Sequence, residues 1–266
     1  MEGLKDHVKE HATQPETQNV IQGGKQPAFE CRNLTMRYGK KTALDEVNLS
    51  LQAGRIVGLL GPNGSGKTTM IKIANGLLQP TSGEALINGM KPGPETKAVT
   101  AYLPDRDFLP PFMNVSQLLT FYSDFFKDFD RERAEEMLEN LGFEPKQKLK
   151  AMSKGTKEKI QLILTMSRRA KVYFLDEPIA GVDPAARDFI IRTIIGNYEK
   201  DALVIISTHL IADIETVLDE VVFLKKGHIV LHEASDALIA ERGKDIDHVF
   251  REVFAVQEAA VRMSTY

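Results

Sequence analysis

Gly61-Pro62-Asn63-Gly64-Ser65-Gly66-Lys67-Thr68 stands between an apolar stretch of strand length, Arg55–Leu60, and a stretch with helical character, Lys67–Leu77. The spacing is that of a phosphate-cradling loop, G-x-x-x-x-G-K-[ST]. Its glycines let backbone N–H groups turn inward where no side chain obstructs a phosphate. The helix that follows aims its positive dipole end at the same place. Lys67 is placed to reach the β- and γ-phosphates of a nucleotide, and Thr68 to offer a hydroxyl to Mg²⁺. Thr69 is counted with the phosphate-binding residues. A plain glycine-rich turn would account for the glycines but not for Lys-Thr between a strand and a helix.

A second apolar stretch, Val172-Tyr173-Phe174-Leu175, ends in Asp176-Glu177-Pro178. Alone, a strand ending in two acids is as readily a solvated turn. Paired with the phosphate loop, Asp176 suits a Mg²⁺ shell, and Glu177 is placed to polarise a water in line with a γ-phosphate.

Around these two sites, short strand patterns alternate with helical ones. Phe29–Tyr38, Glu46–Leu51, Gly83–Gly89, Ala98–Leu103, Lys171–Leu175, Leu203–Ser207 and Val221–Leu224 read as strands, with a turn at Tyr38–Lys41. Pro184–Tyr198 reads as a helix capped by Asp183 with Pro184 at its first position. Glu241–Phe254 reads as a terminal helix. The alternation predicts an α/β fold with a largely parallel sheet covered on both faces, and ligands at the carboxyl ends of its strands. From about 107 to 152 the character becomes helical, with Leu118, Phe121, Tyr122, Phe125 and Phe126 at helical spacing and a charged amphipathic helix over Asp130–Leu141. The aromatic four read as core. The loop Phe108-Leu109-Pro110-Pro111-Phe112-Met113 is less easily buried by its own domain. Residues 1–27 read as a flexible leader and 256–266 as a tail.

Composition narrows the classes. With 42% hydrophobic residues, 27% charged and a net charge of −3, the chain is globular, and the balance argues against nucleic acid as a partner. The one cysteine, Cys31, excludes a disulfide framework and a multi-cysteine zinc site, and reads as a small apolar filler. The apolar runs fall short of the ~20 residues a bilayer demands, so membrane contact is expected through a partner. His7/His11 and His228/His232 are four apart. The first pair lies in the leader and the second in a strand-like stretch, where four residues span about 13 Å, so neither is read as a metal site. The lysines at 146, 148, 150, 154, 157 and 159 read as a solvated face.

In this order the sequence resembles the ATP-binding subunits of ABC transporters over roughly residues 28–255. Tyr38 stands where that family stacks an aromatic ring on adenine. Tyr102-Leu103-Pro104-Asp105 stands at a loop that normally carries glutamine. Met152-Ser153-Lys154-Gly155-Thr156 stands at the family signature, usually Leu-Ser-Gly-Gly-Gln. Ala180-Gly181-Val182-Asp183 matches the loop after the catalytic glutamate, and Ser207-Thr208-His209 carries the histidine that contacts the γ-phosphate.

The resemblance implies a P-loop NTPase (RecA-like) fold, a mostly parallel sheet with an antiparallel β subdomain and a helical insertion. It implies ATP and Mg²⁺ as ligands, Glu177 and His209 as catalytic residues, and Thr68, Asp176 and Asp105 in the metal shell. Nucleotide contacts would come from Tyr38, Gly61 to Thr69, Ser153, Gly155 and Asp183. Ser153 is a good N-cap, Gly155 permits close approach, and the helix from Lys154 to about Met166 would act on ATP held by a second ATP-binding subunit, a copy or a related chain. A separate transmembrane permease would hold the protein at the cytoplasmic face of the cell membrane. The degenerate signature resembles that of exporters, including antibiotic-resistance types. The alternative is a soluble ATPase of the same class not linked to transport. The short insertion, single ATP domain and lone cysteine argue against repair and ribosome-associated members. A P-loop kinase would leave Ser153-Lys154-Gly155 and Ser207-Thr208-His209 unexplained.

Overall fold

The computed structural model describes residues 26–263, without the side chains of Ala185 and of 256–263. The leader, apart from its last two residues, and His7 and His11 lie outside the described residues, as do the last three residues of the tail.

β1 (Phe29–Tyr38), β2 (Lys41–Leu51) and, after β3 (Arg55–Leu60) and α1 (Lys67–Ala74), β4 (Ser82–Ile87) come first in the chain. β2, β1 and β4 form an antiparallel three-stranded sheet in that order. α2 (Pro94–Ala98) leads into β5 (Thr100–Leu103), and the helical insertion comes next as α3 (Val115–Phe125), α4 (Arg131–Asn140) and α5 (Lys154–Met166). β6 (Val172–Asp176), α6 (Pro184–Asn197), β7 (Leu203–Thr208), β8 (Glu220–Lys225), β9 (His228–Ala234), α7 (Ser235–Arg242) and α8 (Ile246–Met263) complete the chain. The main sheet has the order β5-β6-β7-β3-β8-β9, parallel except for β9. The α/β expectation, with an antiparallel subdomain and a helical insertion, describes this architecture.

The burial pattern follows from sheet geometry. β6 and β7 are buried along their whole length, the near-continuous apolar reading expected of strands covered on both faces. On one face, Val57, Leu59, Phe174 and Ile205 pack with α1 and the antiparallel sheet. On the other, Leu60, Tyr173, Leu175, Val204 and Ile206 pack with α5, α6 and the C-terminal helices. A third core, around Leu118, Leu138, Ile160 and Ile163, lies within the helical insertion. Cys31 is buried in the first of these cores, as a filler should be, and burial pushes its thiol pKa up.

Three expectations need correction. α1 ends at Ala74, with Asn75 as its C-cap, rather than at Leu77. The C-terminal stretch holds two helices, because Gly243 takes a left-handed conformation (φ +63°) that ends α7. Phe121 and Phe125 are 42% and 70% exposed, so the aromatic four are not a core block, although Leu118 beside them is buried. Their helical spacing gives a stripe wider than the surface α3 buries.

The helical insertion is clasped to the end of α2 by one buried cation. Arg168 is 3% exposed. Its Nε donates to Asp128 Oδ1 (2.5 Å), and its guanidinium also donates to the Ala98 carbonyl (3.1 Å) and lies 3.9 Å over the Phe126 ring. Asp128 Oδ2 is buried without a partner. Removing the cation would strand a carboxylate. Arg168→Met should therefore cost about 3–5 kcal/mol of stability, read as a lowered midpoint in urea denaturation.

Candidate functional site

Gly66 is the N-cap of α1, its φ of +118° belongs to glycine, and this N-terminus has neither a side-chain cap nor an acid in its first turn. The orphan N–H groups of its first turn are thus left to an anion. By contrast, α5 is capped by its own Ser153, whose Oγ accepts from Thr156 N (3.2 Å).

Two adjoining clefts open here. One, of about 250 Å³, is lined by Tyr38, Asn63 through Thr69, Asp105 and Glu177, together with Lys41 and Ala43. The other, of about 400 Å³, shares Asn63, Asp105 and Glu177 and adds Asp176, His209, Lys154 and Glu158. Tyr38 is half exposed at the rim, as a stacking ring must be. Gly61 and Pro62 do not line the smaller cleft. Their carbonyls instead accept from Lys67 Nζ, at 2.6 and 3.4 Å, which aims a buried ammonium along the loop.

The two acids after β6 are held very differently. Asp176, 1% exposed, accepts at Oδ1 from Thr68 Oγ1 (3.0 Å) and Ser207 Oγ (2.6 Å). Its Oδ2 is buried and has no hydrogen-bond partner among the described residues. Burial raises the Asp176 pKa, the hydrogen bonds from Ser207 and Thr68 oppose this, and the charges of Asp105 and Glu177 add to the rise. Glu177 has a left-handed backbone (φ +51°), a conformation that costs a non-glycine residue roughly 1–3 kcal/mol and persists only where neighbours enforce it. Here its N–H donates to Ser207 O (2.9 Å) and Ser207 Oγ (3.2 Å). The turn brings its carboxylate to Lys67 Nζ (3.2 Å from Oε1) and to His209 Nδ1 (3.0 Å from Oε2).

The donor set fits Mg²⁺. A buried carboxylate oxygen with no protein partner, the Thr68 hydroxyl and the nearby Asp105 carboxylate are hard oxygen ligands of the kind Mg²⁺ takes.

The structure thus brings Tyr38, Asn63 to Thr69, Asp105, Asp176, Glu177 and His209 together. Ser153, Gly155 and Asp183 line neither cleft of this subunit. Ser153 and Gly155 are exposed at the start of α5, and Asp183 caps α6 by accepting from Ala186 N (3.0 Å). Ser207, fully buried and bonded to both acids, is a site residue to which the sequence motifs assign no role. The available signal is a serine near the end of an otherwise apolar buried strand. His228 and His232 point to different carboxylates, Asp45 and Glu220, as a strand pair without a shared metal would.

The family model for ABC transporters matches residues 44–180. An uncharacterized ABC transporter ATP-binding protein of Bacillus subtilis (strain 168), YdbJ, is 33% identical over 77% of this chain and 68% of its own length. The linearmycin resistance ATP-binding protein LnrL of the same organism is 29% identical over 82% of this chain and 72% of its own length. Among solved structures, an ATP-binding subunit of an ABC transporter superposes with a TM-score of 0.77 at 27% identity, covering 85% of this chain and 99% of that one.

Lys67 is the one cation of the phosphate loop and is held by carbonyls of that loop. Lys67→Ala should weaken ATP binding by at least tenfold, since a charge-assisted hydrogen bond contributes about 1.5–3 kcal/mol. Titration calorimetry checks this, with an unchanged circular dichroism spectrum as the control for folding.

Proposed function

The chain belongs to the ABC transporter family, as one of its ATP-binding and ATP-hydrolysing subunits, and from that premise we propose that it powers export through ATP-driven dimerisation while docked on a separate permease. One observation carries the reading. Glu177 is turned by a strained backbone so that its carboxylate sits between Lys67 and His209, one residue after the buried acid Asp176.

In this reading Lys67 and the amides at the start of α1 hold the β- and γ-phosphates of ATP. Glu177 accepts a proton from a water, whose oxygen attacks the γ-phosphorus as the bond to the ADP oxygen breaks. His209 holds the Glu177 carboxylate in place. Thr68, Asp176 and Asp105 would hold Mg²⁺, which when bound neutralises charge on the phosphoryl oxygens. Tyr38 would stack on the adenine.

Dimerisation accounts for the residues that line neither cleft. α5 has no acid in its first turn, and a Cβ added at Gly155 would meet nothing within 4 Å. Gly155 therefore serves no contact inside this subunit. Its smallness suits the approach of ATP held by a partner, a second copy or a related chain. The loop around Asp183 would face the same junction. Export is supported by the degenerate signature at Lys154 and Thr156 and by the likeness to a linearmycin resistance protein.

Among the described residues no helix is long and apolar enough to cross a membrane; in this reading the permease supplies the membrane contact. The Phe108–Met113 loop contributes less to a docking surface than its sequence suggests. Leu109 is buried and Phe108 and Met113 pack on the helical core, while Phe112 is 80% exposed. Phe112 and the exposed faces of Phe121 and Phe125 are the apolar surface we assign to the permease. The protein would then lie at the cytoplasmic face of the membrane.

Three measurements test this. Glu177→Gln cannot accept the proton, so hydrolysis should fall roughly 10²–10⁴-fold. Size-exclusion chromatography should show its dimer persisting in ATP and separating in ADP, and adding Gly155→Ala should return it to monomer without loss of ATP affinity. A slow Glu177→Gln that stays monomeric in ATP would mean that this chain alone does not form the ATP-bound dimer. For the permease surface, Phe112→Glu should abolish co-purification with the membrane-spanning chain and leave ATP binding unchanged. Survival of the complex would remove Phe112 from the docking surface.

A further inference from the structure

β7 reads Leu203-Val204-Ile205-Ile206-Ser207-Thr208, and each of its residues is buried. A hydroxyl at the fifth position is costly there unless it is hydrogen-bonded. The parallel register pairs Ser207 with Asp176 on β6 and with Leu59 on β3. Side chains alternate along a strand, so Ser207 shares its face with Ile205 and Leu203, and Asp176 shares its face with Phe174 and Val172. Those four apolar residues belong to the core that also contains Met70 and Ile71 of α1. Ser207, Asp176 and Thr68 therefore meet on one face of the sheet, at its carboxyl end.

One residue then makes three contacts. Ser207 Oγ donates to Asp176 Oδ1 at 2.6 Å, shorter than the 3.0 Å bond from Thr68 to the same oxygen. The same hydroxyl and the Ser207 carbonyl both accept from Glu177 N. Two donors on Oδ1 leave Oδ2 as the unengaged oxygen of Asp176. The bond to Glu177 N fixes the left-handed turn that carries the base.

We propose that Ser207 is a positioning residue for both acids: its hydroxyl selects Oδ2 of Asp176 as the oxygen presented to the metal and holds the backbone turn that aims Glu177. This rests on the reading of Asp176 as a metal acid and Glu177 as the base. A serine retained only for packing would be matched by alanine, which fills nearly the same volume without a buried polar atom.

The test uses the full chain, with Mn²⁺ as the probe of the metal shell. Wild type, Ser207→Ala and Asp176→Asn are compared by two measurements: mant-ADP affinity in EDTA, and Mn²⁺ affinity of the ADP-bound protein by electron paramagnetic resonance. Residues that orient a metal ligand typically contribute about 10–100-fold to metal affinity. Ser207→Ala should therefore weaken Mn²⁺ by at least tenfold while mant-ADP binding in EDTA stays within twofold of wild type. Its kcat should fall with little change in KM for ATP at saturating Mg²⁺. If Asp176→Asn loses Mn²⁺ but Ser207→Ala binds it as wild type does, the proposal is wrong and the metal reading stands. If neither substitution alters Mn²⁺ affinity, both are wrong. Where Ser207→Ala no longer binds mant-ADP in EDTA, Ser207→Cys, which keeps the volume but donates weakly, is read on the same scale. Its Mn²⁺ affinity should then be weakened, and a wild-type value overturns the proposal.

Discussion

The site depends on one buried carboxylate being held in place. Asp176 receives hydrogen bonds from Thr68 on α1 and Ser207 on β7, so a single side chain ties together the phosphate-loop helix and two central strands. The geometry is available because β3, β6 and β7 run parallel and in register, Asp176 beside Ser207 and Leu59 beside Ser207 on the other flank. Parallel strands end on the same side of the sheet. The segments that leave β3 and β6 must then meet there, and these are the phosphate loop and the turn at Glu177. A slip of one residue in β6 would turn Asp176 towards the opposite core, among Leu60 and Ile206. The apolar alternation that specifies the register thereby also specifies the chemistry.

Charge at this site is arranged to be incomplete. Lys67 is almost wholly buried, and burying an ammonium is costly unless it is paired and hydrogen-bonded. Gly61 O, Pro62 O and Glu177 Oε1 meet that need. Lys41 and Lys154 line the two clefts at their exposed edges, while of the acids Asp105, Asp176 and Glu177 the buried Lys67 pairs with the last. Burial lifts the Asp176 pKa, and the charges of Asp105 and Glu177 add to the rise. A dication held at Asp176 would offset this charge.

Much of this was legible in the sequence, for physical reasons. β1, β3 and α5 lie where apolar patterning, the phosphate loop and the Ser153 cap put them, since each is specified by residues close in sequence. The phosphate loop and the Asp176-Glu177 pair were legible too, because their spacing is local. What escaped was set by tertiary packing. The aromatic stripe of α3 gave no sign of which rings the insertion covers, and Phe121 and Phe125 proved exposed. Gly243 looked like one residue within a helix, but its left-handed backbone divides the C-terminal stretch in two. Ser207 is 31 residues from Asp176, and its role follows from strand register alone.

The loop carrying Asp105 joins this cleft to the far end of the helical insertion, and the strengths of its contacts show where the joint lies. Asp105 lines both clefts, while its neighbours are fastened to α5. Gln161 Nε2 donates to Arg106 O at 3.0 Å, and Lys157 Nζ to Asp107 Oδ2 at 2.9 Å. The second is a partly exposed ion pair, and such pairs contribute about 0–1 kcal/mol. The first involves a side chain only 2% exposed, and a buried polar group deprived of its partner costs roughly 1–3 kcal/mol. Gln161 therefore holds the loop to α5 more firmly than the charged pair does. α5 is continuous from Lys154 to Met166, so the loop beside Asp105 and the start of the helix at Ser153 form one mechanical unit. A short loop with a buried amide at its base thus connects the cleft at Asp105 with the exposed start of α5.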